Sequence, residues 1–299
     1  MIFPNLWPKP ARRKADADVA NVEPTYGWDP ERTRFWLTHL AALETPLIPV
    51  ARAIFSAVDL QHGERVLDVG CGAGVTAIEA ADRVGPDGRV WGIDISPEMI
   101  DVARDRSTAP NLKWVVADAA EYDFPPDEFD AIISRFGMMF FSDPERAFRR
   151  LLAACRTGGR LVASVWPHRD RAPYFALPYN IVTSVLDRRG AVYTPIPADQ
   201  GPFSLGNEQR TKELLVGAGW ADVRCTLRRD PLYLRGPATV EQAVDAVVES
   251  NSAQGVLAGQ PEEILDEART ALIEDLAPWH DGTGIALPGG FLMITARRR

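Results

Sequence analysis

The run Val66-Leu67-Asp68-Val69-Gly70-Cys71-Gly72-Ala73-Gly74 constrains this chain more than any other. An apolar segment ends at Gly70, glycines recur at alternate positions, and a helical pattern opens at Thr76. Glycines between a strand and a helix let the backbone turn tightly and let a ligand approach the main chain without a Cβ in the way. The free N–H groups at a helix start favour an anionic group.

The pattern around this loop is an alternation. Arg65–Val69, Arg89–Asp94, Leu112–Ala117, Phe129–Ser134 and Arg160–Trp166 read as strands, nearly continuously apolar as buried parallel strands are. Helices are expected at Thr76–Val84, Ser96–Arg106 (Ser96 as cap, Pro97 first in the helix) and about Pro144–Cys155. Gly85–Gly88 is a turn, and Gly158–Gly159 is expected to break the chain. Strands alternating with helices at this spacing imply βαβ units and an α/β fold, a mostly parallel Rossmann-like sheet with helices on both faces.

Outside that alternation the signals are looser. Residues 1–22 read as a Pro- and charge-rich arm, and Trp28–Leu60 has helical periodicity. After Trp166 come a helical patch at Leu177–Arg188, a helix at Glu208–Ala218 and a strand at Val223–Leu232. Helices near 239–251 and 261–277 and a strand at Gly290–Arg297 complete the chain. The expected division is an arm with capping helices over 1–59 and a main domain over 60–299. Lid insertions are expected at about 167–206 and 236–285.

The dinucleotide fingerprint GxGxxG has glycines at offsets 0, 2 and 5. Here the third glycine sits at offset 4, Val75 occupies offset 5, and Asp68 precedes the loop inside the strand. A carboxylate there repels a pyrophosphate and welcomes an ammonium group. Asp94 ends the second strand, 24 residues past Gly70, where a carboxylate can accept hydrogen bonds from both hydroxyls of a ribose. Asp118 and Ala119 come directly after the third strand, where a side chain can reach an adenine amine.

VLDVGCGAG, GIDIS and ADA, each at the end of a successive strand, resemble the class I S-adenosylmethionine-dependent methyltransferases. The resemblance covers about residues 60–167 and weakens towards 299. It implies S-adenosylmethionine as cofactor, with Asp68, Gly70, Cys71, Gly72 and Gly74 around its methionine part. By the same resemblance Asp94 binds the ribose, Asp118 and Ala119 border the adenine, and Ile95 and Met99 pack on it. It also implies seven strands with the last antiparallel, which Gly290–Arg297 suits. A nicotinamide oxidoreductase is weakened by the missing offset-5 glycine.

The segment after the fourth strand narrows the substrate. Relatives that methylate exocyclic amines of bases carry Asn/Asp-Pro-Pro-aromatic there; this chain has Ser134-Arg135-Phe136-Gly137-Met138-Met139-Phe140-Phe141. The Pro-Cys of cytosine C5 enzymes is also absent. With 33 basic and 41 acidic residues the net charge is −8, which further disfavours nucleic acid or an anionic membrane as partner. SRFGMMFFSDP, GGRLVASVWP and GPFSLGNEQRTKELLVGAGWADV are similar to small-molecule methyltransferases. That branch includes ubiquinone/menaquinone C-methyltransferases and natural-product O- and N-methyltransferases. The expected reaction is methyl transfer to an O, N or C atom of a small biosynthetic or natural-product molecule. The alternative is a cofactor-binding protein that transfers no methyl group, either a scaffold or regulator or a lyase- or cyclase-like enzyme using the sulfonium charge. A homodimer is compatible with either.

Methyl transfer is an in-line displacement that needs a dry, aligned site. Tyr26 and Trp28 are candidates to cover the cofactor, against the alternative of stapling the entry helix. Phe136 and Met139 are candidates for an apolar pocket, against ordinary core packing. A buried Arg135 needs an anionic partner, and the cofactor carboxylate is a candidate. His168, directly after the fifth strand, is the candidate general base, with an exposed loop histidine as the alternative. His39, His62 and His280 read as surface or packing residues, and Cys71 as packing. No group of residues suggests a metal site. Three widely spaced cysteines without a CxxC suit a reducing compartment, expected to be the cytoplasm. No apolar run is read as approaching a membrane span, and Pro4, Pro8 and Pro10 interrupt the apolar N-terminus against a signal peptide.

Overall fold

The computed structural model describes residues 30–299 except 196, 249 and 250. Chain order is α1 (Pro30–Thr38), α2 (Leu40–Glu44), a 3₁₀ turn, α3 (Ile48–Val58), β1 (Arg65–Val69), α4 (Val75–Val84), β2 (Arg89–Asp94) and α5 (Pro97–Arg106). Next come β3 (Leu112–Val116), β4 (Phe129–Arg135), α6 (Pro144–Ala154), β5 (Cys155–Val165), α7 (Pro173–Arg188) and α8 (Glu208–Gly217). The chain then forms β6 (Ala221–Arg228), β7 (Pro231–Tyr233), α9 (Val240–Val248), α10 (Asn251–Leu257), α11 (Glu262–Leu276), β8 (Ala286–Pro288) and β9 (Phe291–Arg297).

Seven strands form one sheet in the order β3-β2-β1-β4-β5-β9-β6. β1 to β5 are parallel, and β9 runs antiparallel between β5 and β6. The chain adds strands outward from β1 to β3, then restarts on the other side of β1 with β4. Right-handed crossovers on either side of that reversal put α4 and α5 on one face and α6 on the other. The reversal opens a crevice between β1 and β4 at their carboxyl ends, where doubly wound sheets bind ligands. Below the crevice, Val66, Leu67, Ile132 and Ile133 are fully buried in the middle of the sheet, and α3 packs on β4, β5 and β9.

Several boundaries differ from the sequence reading. Gly158 and Gly159 interrupt the pairing of β5 with β4, whose partners skip from Cys155 to Arg160, but they do not end the strand. Gly158 N–H donates to the Arg298 carbonyl and the Gly159 carbonyl accepts from Arg298 N–H, so β5 starts at Cys155 and the glycines pair with the end of the chain. The expected strand Val223–Leu232 divides, because β7 leaves the main sheet to pair with β8. Leu40–Val58 corrects the expectation about apolar length: as one helical stretch of 19 residues it is long and apolar enough to cross a membrane by composition. Here it is interrupted by the 3₁₀ turn Thr45–Leu47 and serves as a core element, burying Val50, Ile54, Phe55 and Val58.

α7, α9, α10 and α11, with β7 and β8, enclose a second hydrophobic core that includes Val182, Val185, Leu234, Val244, Val256, Leu272 and Leu287. These helices lie within the two segments read as insertions, and residues from α7, α9 and α10 reach the mouth of the crevice.

Candidate active site

The crevice is built by backbone contact. Gly70, Gly72 and Gly74 have φ of 66°, 54° and 86°, a left-handed region that side chains disfavour. A Cβ on Gly70 would lie 2.6 Å from Gly137 Cα, so the ends of β1 and β4 touch main chain to main chain. Ser134 Oγ donates to the Val69 carbonyl at 2.7 Å and accepts Gly137 N–H at 3.2 Å, fastening the two ends. Gly70 N–H and Cys71 N–H both donate to the Ile93 carbonyl, which holds the loop beside β2. At Gly72 a Cβ would meet nothing within 4 Å. Glycine is therefore needed at Gly70 for packing, whereas at Gly72 it keeps space open.

Four charged groups surround this loop. Asp94 Oδ2 accepts Gly72 N–H at 2.8 Å, and its Oδ1 accepts Ser96 N–H at 2.9 Å. Burial raises its pKa, while those N–H donors oppose the shift. Asp68 is fully buried; its Oδ2 accepts Thr76 Oγ1–H at 2.6 Å and its Oδ1 has no partner. Burial pushes its carboxyl up to about 7, opposed by Thr76 and by the Arg135 charge. Arg135 Nη1 is buried without a hydrogen-bond partner, and burial lowers the guanidinium pKa. Asp118 Oδ1 accepts Ala120 N–H at 2.8 Å and shapes the turn after β3. Cys71 is buried, and burial pushes its thiol well up, as suits packing rather than nucleophilic attack.

A cavity of about 330 Å³ opens from this loop. Its wall takes in Gly70, Cys71, Gly72, Asp94, Ile95, Met99, Asp118, Ala119, Arg135, Phe136 and Met139 of the residues singled out from sequence. Away from the glycines the wall is aromatic and aliphatic. Phe136 stacks on Trp166 at 4.0 Å between ring centroids, and Trp166 lies parallel to Tyr174 at 5.8 Å. Phe136 has φ of 62°, a strained conformation for a bulky residue, and its N–H donates to the Ser164 carbonyl. α1 and α2 contribute Phe35, Trp36 and Leu43, the junction between them contributes His39, and the lid helices contribute Val182, Val247 and Val256.

Other sequence expectations meet a different placement. Asp68 lies behind the wall and reaches it through Thr76, which does line the cavity. Gly74 also lies behind it: it starts α4, and a Cβ there would strike Trp114. His168 is not on the wall. It sits outside in a loop, half exposed, with Nδ1 3.7 Å from Asp170 and its backbone N–H donating to the Gly206 carbonyl. The chain turns away after Pro167 to form α7, so the aromatic rings of Tyr174 and Phe175 take the place expected for His168. Tyr26 and Trp28 lie outside the described residues. His39, read from sequence as surface or packing, is on the wall and is the histidine there among the described residues. The helical period around Phe35–Leu43 was the available signal, but it does not say which face covers a cavity.

A methyltransferase-domain family model matches residues 66–159. Nocamycin O-methyltransferase of Saccharothrix syringae is 33% identical over 200 residues, 64% of this chain and 70% of that protein. Aklanonic acid methyltransferase DauC of Streptomyces sp. strain C5 is 37% identical over 116 residues, 38% of this chain and only 53% of the relative's length. A putative methyltransferase from an antibiotic biosynthesis pathway of Anabaena variabilis has the same fold. Its TM-score is 0.56 at 16% identity, over 83% of this chain and 96% of that one. The chain belongs to the class I S-adenosylmethionine-dependent methyltransferases, on the side of the small-molecule enzymes.

The residues fit that cofactor. A carboxylate offers about four lone-pair positions, and Asp94 has used two on backbone donors, so a ribose diol can still be accepted. The open space at Gly72 admits a ligand against the main chain. The orphaned Arg135 Nη1 suits a carboxylate, and Ile95, Met99 and Ala119 give an apolar slot for a purine.

Proposed function

We propose that this chain transfers a methyl group from S-adenosylmethionine to an O, N or C atom of a small, largely apolar molecule, a biosynthetic or natural-product intermediate. The observation that carries this reading is the continuity of one cavity, from the Gly70–Gly72 loop and Asp94 to the aromatic wall of Phe136, Trp166 and Tyr174. When bound, S-adenosylmethionine supplies an electrophilic methyl group on a sulfonium. The chain supplies alignment and exclusion of water, the two contributions a displacement of this kind uses most. Asp94, Asp118 and Arg135 orient the cofactor end. α7, α9 and α10 act as the lid that keeps the other end dry. Where the acceptor must lose a proton, His39 is the histidine on the wall and our candidate to take it. The names of the two relatives, concerned with aklanonic acid and nocamycin, support the natural-product reading. The net charge of −8 supports a substrate other than nucleic acid, and three free, well-separated cysteines support a cytoplasmic setting.

Two measurements test the proposal. Calorimetry is expected to show binding of S-adenosylmethionine and S-adenosylhomocysteine. Incubation with methyl-labelled cofactor and a panel of phenolic, quinol and amine acceptors is expected to give labelled product. Binding of neither cofactor form at millimolar concentration overturns the reading.

A further inference from the structure

Tyr174 sets a hydroxyl on the aromatic wall whose purpose the fold leaves unexplained. Tyr174 opens α7 just inside its N-terminus and lines the cavity. Its ring is fixed on several sides: parallel to Trp166, edge-on to Phe175 at 5.0 Å, and backed by Phe175 against Phe203 at 5.3 Å. A ring held this way keeps its hydroxyl in one place on the cavity wall. The hydroxyl has no hydrogen-bond partner among the described residues, and burial alone pushes the phenol up to about 12. It is thus a neutral O–H donor throughout the physiological range, and it cannot act as a base. A hydroxyl held on the wall of a cavity with no protein partner is available to a ligand that enters it.

The surroundings define what that ligand looks like. Phe136, Trp166 and Tyr174 present parallel rings along one side of the cavity, and Phe35 lines it from α1. Such surfaces favour a flat, apolar ring system, by offset stacking or edge contact. We propose that Tyr174 is an acceptor-binding residue: its phenol donates a hydrogen bond to an oxygen substituent on a flat apolar ring and so fixes which edge of that ring faces the Gly70–Gly72 loop. The proposal rests on the methyltransferase reading above, but its test does not require turnover.

The probes are 1-naphthol and naphthalene, which share a ring system and differ by one oxygen. Their dissociation constants are measured by equilibrium dialysis with the full chain, saturated with S-adenosylhomocysteine. The wild-type protein is expected to bind 1-naphthol about fivefold to tenfold more tightly than naphthalene, the range of one net hydrogen bond. Tyr174→Phe keeps the ring and removes the donor. It is expected to bind naphthalene as the wild type does and to lose the preference for 1-naphthol. A wild type that binds the two probes equally, or binds neither, overturns the proposal, as does a variant that keeps the preference. Absence of S-adenosylhomocysteine binding would instead overturn the underlying methyltransferase reading, and calorimetry before the dialysis detects it separately.

Discussion

Asp94 accepts the Gly72 N–H on one carboxylate oxygen at 2.8 Å, so the residue expected to hold a ribose also pins the loop that faces it. Its other oxygen accepts Ser96 N–H at the start of α5. Asp94→Ala therefore removes two kinds of support, ligand contacts and loop order. We expect S-adenosylhomocysteine affinity to fall by about 1.5–3 kcal/mol, the range for hydrogen bonds to a charged group. Titration calorimetry reads this directly, and an unchanged dissociation constant would contradict the assignment.

Gly70 and Gly72 are two residues apart and should respond to alanine in opposite ways. A Cβ on Gly70 would press into Gly137 Cα at 2.6 Å, where neither backbone can yield without separating β1 from β4. Gly70→Ala is expected to cost several kcal/mol, on the order of 3 or more, and to lower the melting temperature steeply. A Cβ on Gly72 meets open space, so only the left-handed conformation is penalised, by about 1–2 kcal/mol. Gly72→Ala should therefore fold and lose cofactor affinity, because the methyl group enters the space a ligand would use. Thermal unfolding paired with calorimetry separates the two variants; equal behaviour would sink the distinction.

That contrast shows what was legible in the sequence. The loop, its place after β1, and Asp94 and Asp118 at successive strand ends could be read because a buried parallel strand is a continuous apolar run. Its end is therefore visible, and a ligand-facing residue has to stand there. The order of β9 between β5 and β6 was accessible only through resemblance, since no pattern in GFLMITAR names its neighbours. His39 and Tyr174 were not legible as wall residues. His39 caps α2, where the apolar period shows that a face is buried but not whether a core or a cavity covers it, and Tyr174 stands in the first turn of α7, ahead of the helical patch read from Leu177. His168 illustrates the opposite error: its position after a strand suggested the site, but the turn into α7 carries it outside.

The two histidines give a clean comparison. His39 lines the cavity, tilted against Phe35 with ring centroids 4.8 Å apart, while His168 lies in a half-exposed loop. If the acceptor must be deprotonated, His39→Gln should lower turnover by about 10²-fold or more, the lower end for a general base, with cofactor affinity unchanged. His168→Ala should leave turnover within a factor of about two, as surface substitutions usually do. Turnover under saturating cofactor is the measurement. A large loss for His168 with none for His39 would return the base to the loop.

Asp68 gives a prediction that needs no substrate. Its carboxyl is held at about 7, chiefly by burial, with Thr76 and Arg135 pulling it down and Asp94 pushing it up; the ordinary value is 3.8. Between those two values the folded chain keeps a proton that the unfolded chain has released. Its contribution to stability is thus complete below about pH 3.8 and is lost as the pH rises through about 7. The loss amounts to about 1.4 kcal/mol per pH unit across that window, and it levels off once the folded group ionises. Asp68→Asn has no such titration. The constant part of its effect depends on how Arg135 repartners, but the drift with pH does not. Unfolding free energies from urea titrations at pH 5, 6, 7 and 8 should show the Asn variant gaining on the wild type from pH 5 to about 7, then running parallel to it. Parallel curves across the whole range would mean that Asp68 is ionised throughout, paired with Arg135 in place of carrying a proton.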